Sequence, residues 1–251
     1  MKIGLLMSTG LSEFRLNTLK PILNDNAFSI EFAVIDDSPK KSNVQKIKRN
    51  LKKGRGGYIF IMAFEKLFEK GESPISTEEF CKDNRISVYK TKDVYSVESI
   101  DMIRKNNLDI LLFIGGYGII KEPLLSLTPL GILSYHHGNM RKYRGQPPAL
   151  WELYNNENEM GITVQILSSG LDCGIPIEEK TVEIRKTDTL KKLQDRSMSE
   201  SLNMMYEALK KLNDPGFVPS KIDSFGKVYT IPNLRQWILL NLKALWRRIS
   251  G

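Results

Sequence analysis

The stretch Leu108-Asp-Ile-Leu-Leu-Phe-Ile-Gly-Gly-Tyr-Gly-Ile-Ile120 is the most informative one for the architecture, because it joins a short apolar run to a glycine-rich turn. A continuous apolar run of this length is typical of a strand that is buried on both faces. Similar runs occupy residues 3–7 and 131–136, and helical patterns lie between them. This alternation predicts an α/β fold with a mostly parallel sheet between helices.

Further predicted elements continue the alternation along the chain. Strands are predicted at residues 30–35, 86–89, 161–167 and 175–184. Helices are predicted at residues 16–23, 58–68, 97–106, 123–127, 147–155, 189–212 and 231–249. The turn after the first strand, Ser8-Thr-Gly10, lacks the Gly-x-Gly-x-x-Gly pattern, so a dinucleotide-binding fingerprint is absent.

The net charge is concentrated in two segments of the chain. The 251 residues carry 37 Lys and Arg against 29 Asp and Glu, and 41% are hydrophobic, which is typical of a globular protein and excludes disordered, collagenous and polytopic membrane classes. Two acid-free segments, Lys40–Arg55 and Leu234–Gly251, hold twelve of the bases. The remaining chain has 25 bases against 29 acids, so a broad nucleic-acid-binding face is not expected.

Two cysteines, Cys81 and Cys173, stand far apart in the sequence and are too few for a metal cluster. A reducing compartment is the simplest setting for them, so the sequence predicts a cytoplasmic protein without a bound metal. The apolar residues after Met1 are too few for a signal peptide, and no run of 18 apolar residues would span a bilayer.

The only two histidines, His136 and His137, are adjacent and close the predicted strand at residues 131–136. Because side chains alternate along a strand, Ser134 and His136 share one face, and Tyr135 and His137 share the other. Open α/β sheets bind ligands at the carboxyl ends of their strands. His136 is therefore either a functional histidine or a hydrogen-bonded structural one.

Asp172 lies in Gly170-Leu-Asp-Cys-Gly174, where an aspartate either orients a histidine or stabilises a turn. Together with three other motifs, in the same order and spacing, this loop resembles the folate-dependent formyltransferases. The others are the signature loop Gly131-Ile-Leu-Ser-Tyr-His-His-Gly-Asn-Met-Arg-Lys-Tyr-Arg-Gly145, the strand Gly161-Ile-Thr-Val164, and Leu112-Phe-Ile-Gly-Gly-Tyr-Gly-Ile-Ile120, which resembles a folate-side loop. The resemblance is closest in kind to sugar N-formyltransferases and to the catalytic domain of methionyl-tRNA formyltransferase.

The resemblance implies a Rossmann-like formyltransferase fold, with a mostly parallel, twisted sheet flanked by helices and a short C-terminal helical extension. It implies transfer of a formyl group from 10-formyltetrahydrofolate to an amine, with an oxyanion developing on the formyl oxygen. On the matching positions, His136 would stabilise that charge, and Asp172 would be its partner and proton relay. The implied folate contacts are Gly115, Gly116, Tyr117, Gly118, Ile119, Leu133 and Gly170, and the implied acceptor contacts are Asn139, Arg141, Tyr143 and Arg144.

Two positions depart from the family's pattern. The Asn of the family's Asn-x-His is Ser134 here, and losing one oxyanion donor typically lowers the rate by about 10²–10³. A water molecule, His137 and Asn139 are candidate replacements for that donor. The family's Ser-Leu-Leu-Pro loop is Gly138-Asn-Met-Arg141 here, which gains a charge and loses a proline. These departures leave three alternatives: a formyltransferase, a hydrolase of the formyl donor, and a catalytically silent binding protein.

The acceptors within the family are glycinamide ribonucleotide, methionyl-tRNA and amino sugars attached to nucleotides. About 40 residues follow Leu212, too few for the β domain of the tRNA enzymes. The basic segment at residues 40–55 has no aromatic residue for stacking on bases. A nucleotide-linked amino sugar is the acceptor favoured by elimination and by resemblance. The basic segment is either a solvated surface or a patch that attracts the acceptor's diphosphate.

The sequence predicts a catalytic domain over residues 1–212, with a basic and helical insert at residues 40–71, and a C-terminal extension over residues 213–251. The extension holds an amphipathic helix with Trp237, Trp246 and a basic, acid-free polar face. Packing of this helix on the domain or on a second subunit is the favoured interpretation. The alternative is contact with an anionic membrane surface.

Overall fold

A central mixed sheet organises the protein, whose computed structural model describes residues 1–39, 42–60 and 75–249, without the side chain of Arg248. The strands are β1 (Lys2–Ser8), β2 (Gly10–Leu11), β3 (Ser29–Asp36), β4 (Ile75–Ser76), β5 (Ser87–Thr91), β6 (Ile110–Phe113), β7 (Ile132–His136), β8 (Tyr143–Gly145), β9 (Glu159–Ile166), β10 (Ile175–Glu183) and β11 (Lys227–Tyr229). Seven of them form one sheet in the order β10-β9-β7-β6-β1-β3-β5. β1, β3, β5, β6 and β7 are parallel, which confirms the predicted α/β architecture.

Four helices lie between the parallel strands: α1 (Glu13–Leu23), α2 (Asn43–Lys52), α3 (Thr77–Asp83) and α4 (Val97–Lys105). Further along the chain are α5 (Leu150–Tyr154), α6 (Leu190–Ser201), α7 (Met204–Asn213) and α8 (Leu234–Ile249). Serine begins several of them, because its hydroxyl accepts a hydrogen bond from a backbone N–H of the first turn that has no partner within the helix. Ser12, Ser42, Ser76 and Ser96 cap α1 to α4 in this way.

The single helix predicted at residues 189–212 is wrong, because the structure has two helices there. α6 ends at Ser201 and α7 begins at Met204. The hydroxyl of Tyr135 occupies the break: it donates to the carbonyl oxygen of Ser201 at 2.6 Å and accepts from the N–H of Met205 at 3.0 Å. A side chain from β7 thus replaces backbone hydrogen bonds that a continuous helix would form.

Two other predicted helices differ in their bounds. The helix predicted at residues 147–155 begins only at Leu150, because Ala149 has a left-handed backbone with φ 65°. The helix predicted at residues 231–249 begins at Leu234, after Asn233, whose side chain accepts from the N–H of Gln236. Residues 61–68 of the helix predicted at residues 58–68 lie outside the described residues. Lys40 and Lys41, the first two residues of the basic segment, also lie outside them.

Apolar side chains cover both faces of the sheet, as a parallel sheet between helices requires. On one face, Leu112 belongs to a buried cluster with Leu209 of α7. On the other face, Leu111 belongs to a second cluster with Ile103 of α4. The sheet is thus held between two apolar layers. The carboxyl ends of β6 and β7 lie side by side, and Phe113 is in register with Ser134.

The chain beyond α7 returns to the loop that follows β7. β11 pairs with β8 in parallel, and Trp151 of α5 donates to the carbonyl oxygen of Thr230 at 3.0 Å. α8 then packs on α5 and buries Leu240. No helix in the described part of the chain is long and apolar enough to cross a membrane. The predicted domain boundary after Leu212 stays a prediction.

Candidate active site

The fold brings His136 and Asp172 together at the carboxyl edge of the parallel strands. His136 ends β7, and Asp172 lies in the loop between β9 and β10, where its φ of 46° gives a tight turn. Nδ1 of His136 is 3.4 Å from Oδ2 of Asp172. The histidine is 7% exposed, so the pair lies just beneath the surface at the edge where open α/β sheets bind ligands.

Hydrogen-bond acceptors face both nitrogens of the His136 ring. Nε2 lies 2.9 Å from the backbone carbonyl oxygen of Tyr143, and Nδ1 faces the Asp172 carboxylate. These two contacts together fix the orientation of the His136 ring at the end of β7.

The signature loop holds Asp172 in place through its backbone. Oδ2 of Asp172 accepts from the N–H of Gly145 at 2.8 Å. Arg144 donates from Nη1 to the carbonyl oxygen of Leu171 at 3.3 Å. The cavity enclosed by these loops measures about 10 Å³, room for about one water molecule. Its walls are His136, His137, Gly138, Tyr143, Arg144, Gly145, Pro147, Pro148, Trp151, Glu152 and Tyr229.

The two histidines lie on opposite faces of β7, as the alternation predicts. The His137 ring stacks on Tyr135 at a centroid distance of 5.4 Å, and its Nε2 is 3.1 Å from the hydroxyl of Ser201. Burial lowers the pKa of His137 to about 4, with a smaller effect from neighbouring His136. His137 is therefore neutral at physiological pH and holds β7 against α6. It faces away from Ser134 and does not supply the missing oxyanion donor.

The predicted folate-side loop follows β6, beside the end of β7. Gly115 packs against the Arg15 guanidinium, and Gly116 packs against the backbone of β1. The hydroxyl of Tyr117 donates to the carbonyl oxygen of Val34 at 3.0 Å. Beyond this anchored half, the space around Gly118 is open, and Ile119 is 58% exposed. The outer half of the loop therefore offers an apolar surface for a ligand.

The two remaining predicted folate contacts lie in different surroundings. Leu133 is fully buried in the core, on the face of β7 that carries Tyr135, so its side chain is not accessible to a cofactor. Gly170 begins the turn that carries Asp172, with φ 123° and the sulfur of Cys173 close to its Cα. Gly170 thus belongs to the turn that carries Asp172, whereas Leu133 packs in the core on the face of β7 opposite His136.

The predicted acceptor contacts mainly stabilise the signature loop. Asn139 accepts from the N–H of Arg141 at 3.0 Å, and Arg141 forms a two-pronged ion pair with Glu179. Tyr143 donates its hydroxyl to Glu157 at 2.9 Å. Arg144 donates from Nε to the backbone carbonyl oxygen of Gly226 at 2.8 Å. These bonds position the loop, and the Arg141 head remains partly exposed for an acceptor.

Sequence patterns did not indicate two polar residues of this region. Gln165 of β9 is fully buried and pairs in register with Ser134. Glu152 of α5 is 3% exposed, and burial raises its pKa to about 7. The available signal was a polar residue inside an apolar run: Gln165 interrupts Ile162 to Ile166. No three His, Cys, Asp or Glu side chains of the described chain are grouped so as to bind a metal ion.

Comparisons with known proteins agree with this geometry. A sequence profile of the family described as Formyl transferase matches residues 31–209. The methionyl-tRNA formyltransferase of Clostridioides difficile (strain 630) is 29% identical over 154 residues, which cover 61% of this chain and 49% of that protein. The chain therefore spans about half the length of this curated relative.

Two solved structures share the fold. An N-formyltransferase from Helicobacter canadensis, in complex with folinic acid and dTDP-3-aminofucose, has a TM-score of 0.62 and 14% identity, and the match covers 97% of this chain and 80% of that one. The phosphoribosylglycinamide formyltransferase of Anaplasma phagocytophilum has a TM-score of 0.61 and 14% identity over 92% of this chain and 98% of that one. Because the family profile extends from β3 to α7, through the whole site, the chain belongs to the formyl transferase family.

Proposed function

We propose that this protein transfers a formyl group from 10-formyltetrahydrofolate to an amine. The observation that carries the proposal is the contact between His136 and Asp172, at the ligand-binding edge of a formyl transferase sheet. An imidazole beside a carboxylate suits a reaction in which negative charge develops on oxygen while an amine loses a proton.

In this proposal His136 stabilises the developing charge and Asp172 accepts the proton. When bound, 10-formyltetrahydrofolate supplies the activated formyl group. His136 stabilises the negative charge on the formyl oxygen, and the Tyr143 carbonyl and Asp172 orient its ring. Gly145 and His136 both contact Oδ2 of Asp172, so Oδ1 is the oxygen placed to accept the proton of the attacking amine.

The chain also offers a surface for the folate ring system. Exposed Ile119 and the open space around Gly118 lie on the loop after β6, whose last residue, Phe113, is in register with Ser134. A flat aromatic ring suits an exposed apolar surface next to a backbone without a side chain. We expect the donor to lie along this loop, with its formyl group directed toward the end of β7.

We propose a nucleotide-linked amino sugar as the acceptor. The Helicobacter canadensis N-formyltransferase, whose fold is similar, is described with dTDP-3-aminofucose bound. Helix α2 also exposes Lys48, Arg49 and Lys52, which together suit the diphosphate of such a compound. Methionyl-tRNA is the second candidate, because the sequence match is to enzymes of that name.

Incubation of the purified protein with 10-formyltetrahydrofolate and candidate amines tests the proposal. The panel holds nucleotide-linked amino sugars, glycinamide ribonucleotide and methionyl-tRNA, with mass spectrometry as the readout. We expect a formylated amino sugar, and a rate about 10²–10⁴ lower for His136→Asn. Asp195→Asn is the control, because it removes an exposed carboxylate on α6, and it should keep the activity. The absence of product from every acceptor, beside an active control enzyme, contradicts the proposal.

The same assay separates the two alternatives. Tetrahydrofolate that is released without any amine indicates a hydrolase of the formyl donor. Binding of the donor without turnover, which Ser134→Asn does not restore, indicates a silent binding protein. Charge reversal at Lys48, Arg49 and Lys52 should raise the KM for a nucleotide-linked acceptor and leave the KM for the donor unchanged.

We also propose that helix α8 contacts an anionic lipid surface facing the cytoplasm. The packing that the sequence favours accounts for one face of the helix: Leu240 is buried, and Lys243 donates to the carbonyl oxygen of Tyr154 at 2.6 Å. The helix also exposes an apolar stripe of Leu234, Ile238, Leu242, Leu245, Trp246 and Ile249, of which the last four line an open groove beside residues 156–158 and 184–186. No acidic residue occurs between residues 234 and 249, and this charge pattern suits anionic headgroups.

Sedimentation with lipid vesicles tests this contact. The full chain should sediment with phosphatidylserine vesicles and stay in solution with pure phosphatidylcholine. Leu242→Glu with Ile249→Glu should abolish sedimentation. Val218→Glu changes a more exposed apolar residue elsewhere and serves as the control. If the variant instead converts a dimer to a monomer in analytical ultracentrifugation, a second copy covers the stripe and the lipid proposal is wrong.

A further inference from the structure

Gln165 lies directly opposite Ser134 in the site. β7 and β9 are antiparallel, and their register pairs Ser134 with Gln165 and His136 with Thr163. Side chains of paired residues lie on the same face of a sheet, with Cβ atoms about 5 Å apart. Gln165 therefore stands on the face that carries Ser134 and His136, and it is fully buried.

A hydrogen bond fixes the orientation of the Gln165 carboxamide. The N–H of Gly174 donates to Oε1 at 2.9 Å, so Oε1 must be the acceptor oxygen and Nε2 the amide nitrogen. Gly174 is two residues beyond Asp172 in the same loop. The carboxamide thus lies between Ser134 and the loop that carries Asp172.

The nitrogen of this carboxamide has no hydrogen-bond partner among the described residues, although it is fully buried. An unsatisfied buried donor costs about 1–3 kcal/mol. Such groups are rare in native proteins, and one beside a reaction site indicates an acceptor that arrives with a ligand. Ser134 has only a 3.4 Å contact from its hydroxyl to the carbonyl oxygen of Tyr135.

We infer that Nε2 of Gln165 donates a hydrogen bond to the formyl oxygen and replaces the donor that is lost at Ser134. The inference rests on the proposed formyl transfer. Three bonds separate Cβ from the donor atom in glutamine and one in serine, so Gln165 reaches across from β9 toward the space in front of Ser134. Of the other side-chain candidates, His137 stacks on Tyr135 on the opposite face of β7, and the Asn139 side chain is oriented by its oxygen, which accepts from the N–H of Arg141.

Gln165 exchanges no proton in this step. The amine nitrogen forms a bond to the formyl carbon, and the electron pair of the C=O double bond moves to oxygen. The pair returns when the bond from that carbon to the folate nitrogen breaks, and that nitrogen takes up the proton that the attacking amine has given to Asp172. The amide N–H and His136 stabilise the oxygen while it carries the charge, and the bond should therefore be stronger in the transition state than in the bound donor.

Removal of the donor at Gln165, followed by introduction of the family's asparagine at position 134, tests the inference. Gln165→Met keeps the size of the side chain and removes its donor, and should lower kcat by about 10²–10³ with little change in the KM for the donor. Adding Ser134→Asn to that variant should restore kcat at least tenfold. If Gln165 served only to anchor Gly174, its role would be structural, and Ser134→Asn would not restore the kcat of Gln165→Met.

A second measurement uses the unaltered chain, in case Gln165→Met does not fold. The side-chain amide resonances of Gln165 are followed by ¹⁵N NMR during titration with 10-formyltetrahydrofolate. A downfield shift of one amide proton is expected on binding. If the donor binds and formyl transfer proceeds while this resonance stays unchanged, the inference is overturned and the proposed function stands. If the donor does not bind, the proposed function fails, and the inference fails with it.

Discussion

Asp172 has two partners with different chemical needs. Its Oδ2 accepts from the N–H of Gly145 at 2.8 Å, a contact that fixes the loop, and it also faces Nδ1 of His136. An asparagine at this position keeps an oxygen for Gly145 but has no negative charge beside the His136 ring and no basic oxygen for a proton. Structure and catalysis can therefore be separated at this residue.

Asp172→Asn should lower kcat for formyl transfer by about 10²–10⁴ and change thermal stability little. Steady-state kinetics and a thermal melt of the same preparation check both expectations. The control is Asp195→Asn, which removes an exposed carboxylate that pairs with Lys191 on α6 and should leave kcat unchanged. A large loss of stability without a selective loss of kcat would assign Asp172 a structural role.

Glu152 makes the folded state sensitive to pH. Burial raises its pKa from 4.5 to about 7, while the unfolded chain keeps the ordinary value. Below pH 4.5 the carboxyl is neutral in both states, so its ionisation does not lower the free energy of unfolding. Between pH 4.5 and about 7 the unfolded state releases the proton and the folded state holds it, so stability falls as pH rises.

Glu152→Gln should therefore stabilise the protein at pH 8 and have little effect at pH 4. The expected gain at pH 8 is on the order of 1–3 kcal/mol, from a pKa shift of this size. Urea unfolding at both pH values measures it, with Glu159→Gln on the exposed edge of β9 as the control. An equal effect at the two pH values contradicts the assignment.

Sequence reasoning identified residues of this site when a motif carried them. His136 and Asp172 were predicted, because a short strand and a glycine-bounded turn keep a recognisable spacing. Gln165 and Glu152 were not, because their significance comes from complete burial and from neighbours on other elements. Burial of a single polar residue depends on packing between distant segments, which no local pattern encodes.

At the scale of elements, the strands were predicted better than the helix ends. The apolar runs that gave β1, β3, β6 and β7 depend on burial along one segment, whereas the break between α6 and α7 depends on β7. Residues 189–212 have continuous helical periodicity, so local propensity alone favours one helix. The hydroxyl of Tyr135 overrides that preference by supplying bonds to both new helix ends.

Tyr135→Phe should show how much this hydroxyl contributes. The substitution leaves the carbonyl of Ser201 and the N–H of Met205 without their partner, so the free energy of unfolding should fall by about 1–3 kcal/mol. Urea denaturation measures the change. Tyr95→Phe also removes a hydroxyl that accepts from a backbone N–H, but at an exposed position, and should cost less. Equal losses at the two tyrosines would contradict the role given to Tyr135.

At the scale of the whole molecule, folding brings the two basic segments of the sequence close together. The N–H of Gly57, just beyond α2, donates to the carbonyl oxygen of Pro232, just before α8, at 3.2 Å. The sequence predicts each segment separately, but their contact joins residues 175 positions apart and follows only from the tertiary fold. Positive charge near α8 thus comes from α2 as well, which strengthens attraction to an anionic surface.

The chain beyond α7 has two parts with separable roles, and two truncations distinguish them. Ending the chain after Asn233 removes α8, and with it the burial of Leu240, but keeps β11 on β8. Ending it after Ser224 also removes β11, together with the carbonyl oxygens of Thr230 and Gly226, which accept hydrogen bonds from Trp151 and Arg144.

The shorter of these two chains should lose activity and the longer should keep it. Without β11, the signature loop loses its parallel partner, so Gly145 no longer holds Asp172 against His136 and kcat should fall more than tenfold. Loss of α8 alone should lower the thermal midpoint, because burial of one leucine contributes about 1.5–3 kcal/mol, and should leave kcat within about twofold. Formylation assays and thermal melts of both chains measure these differences. If the chain that ends after Asn233 is already inactive, α8 itself supports the site, and the separation of the two parts is wrong.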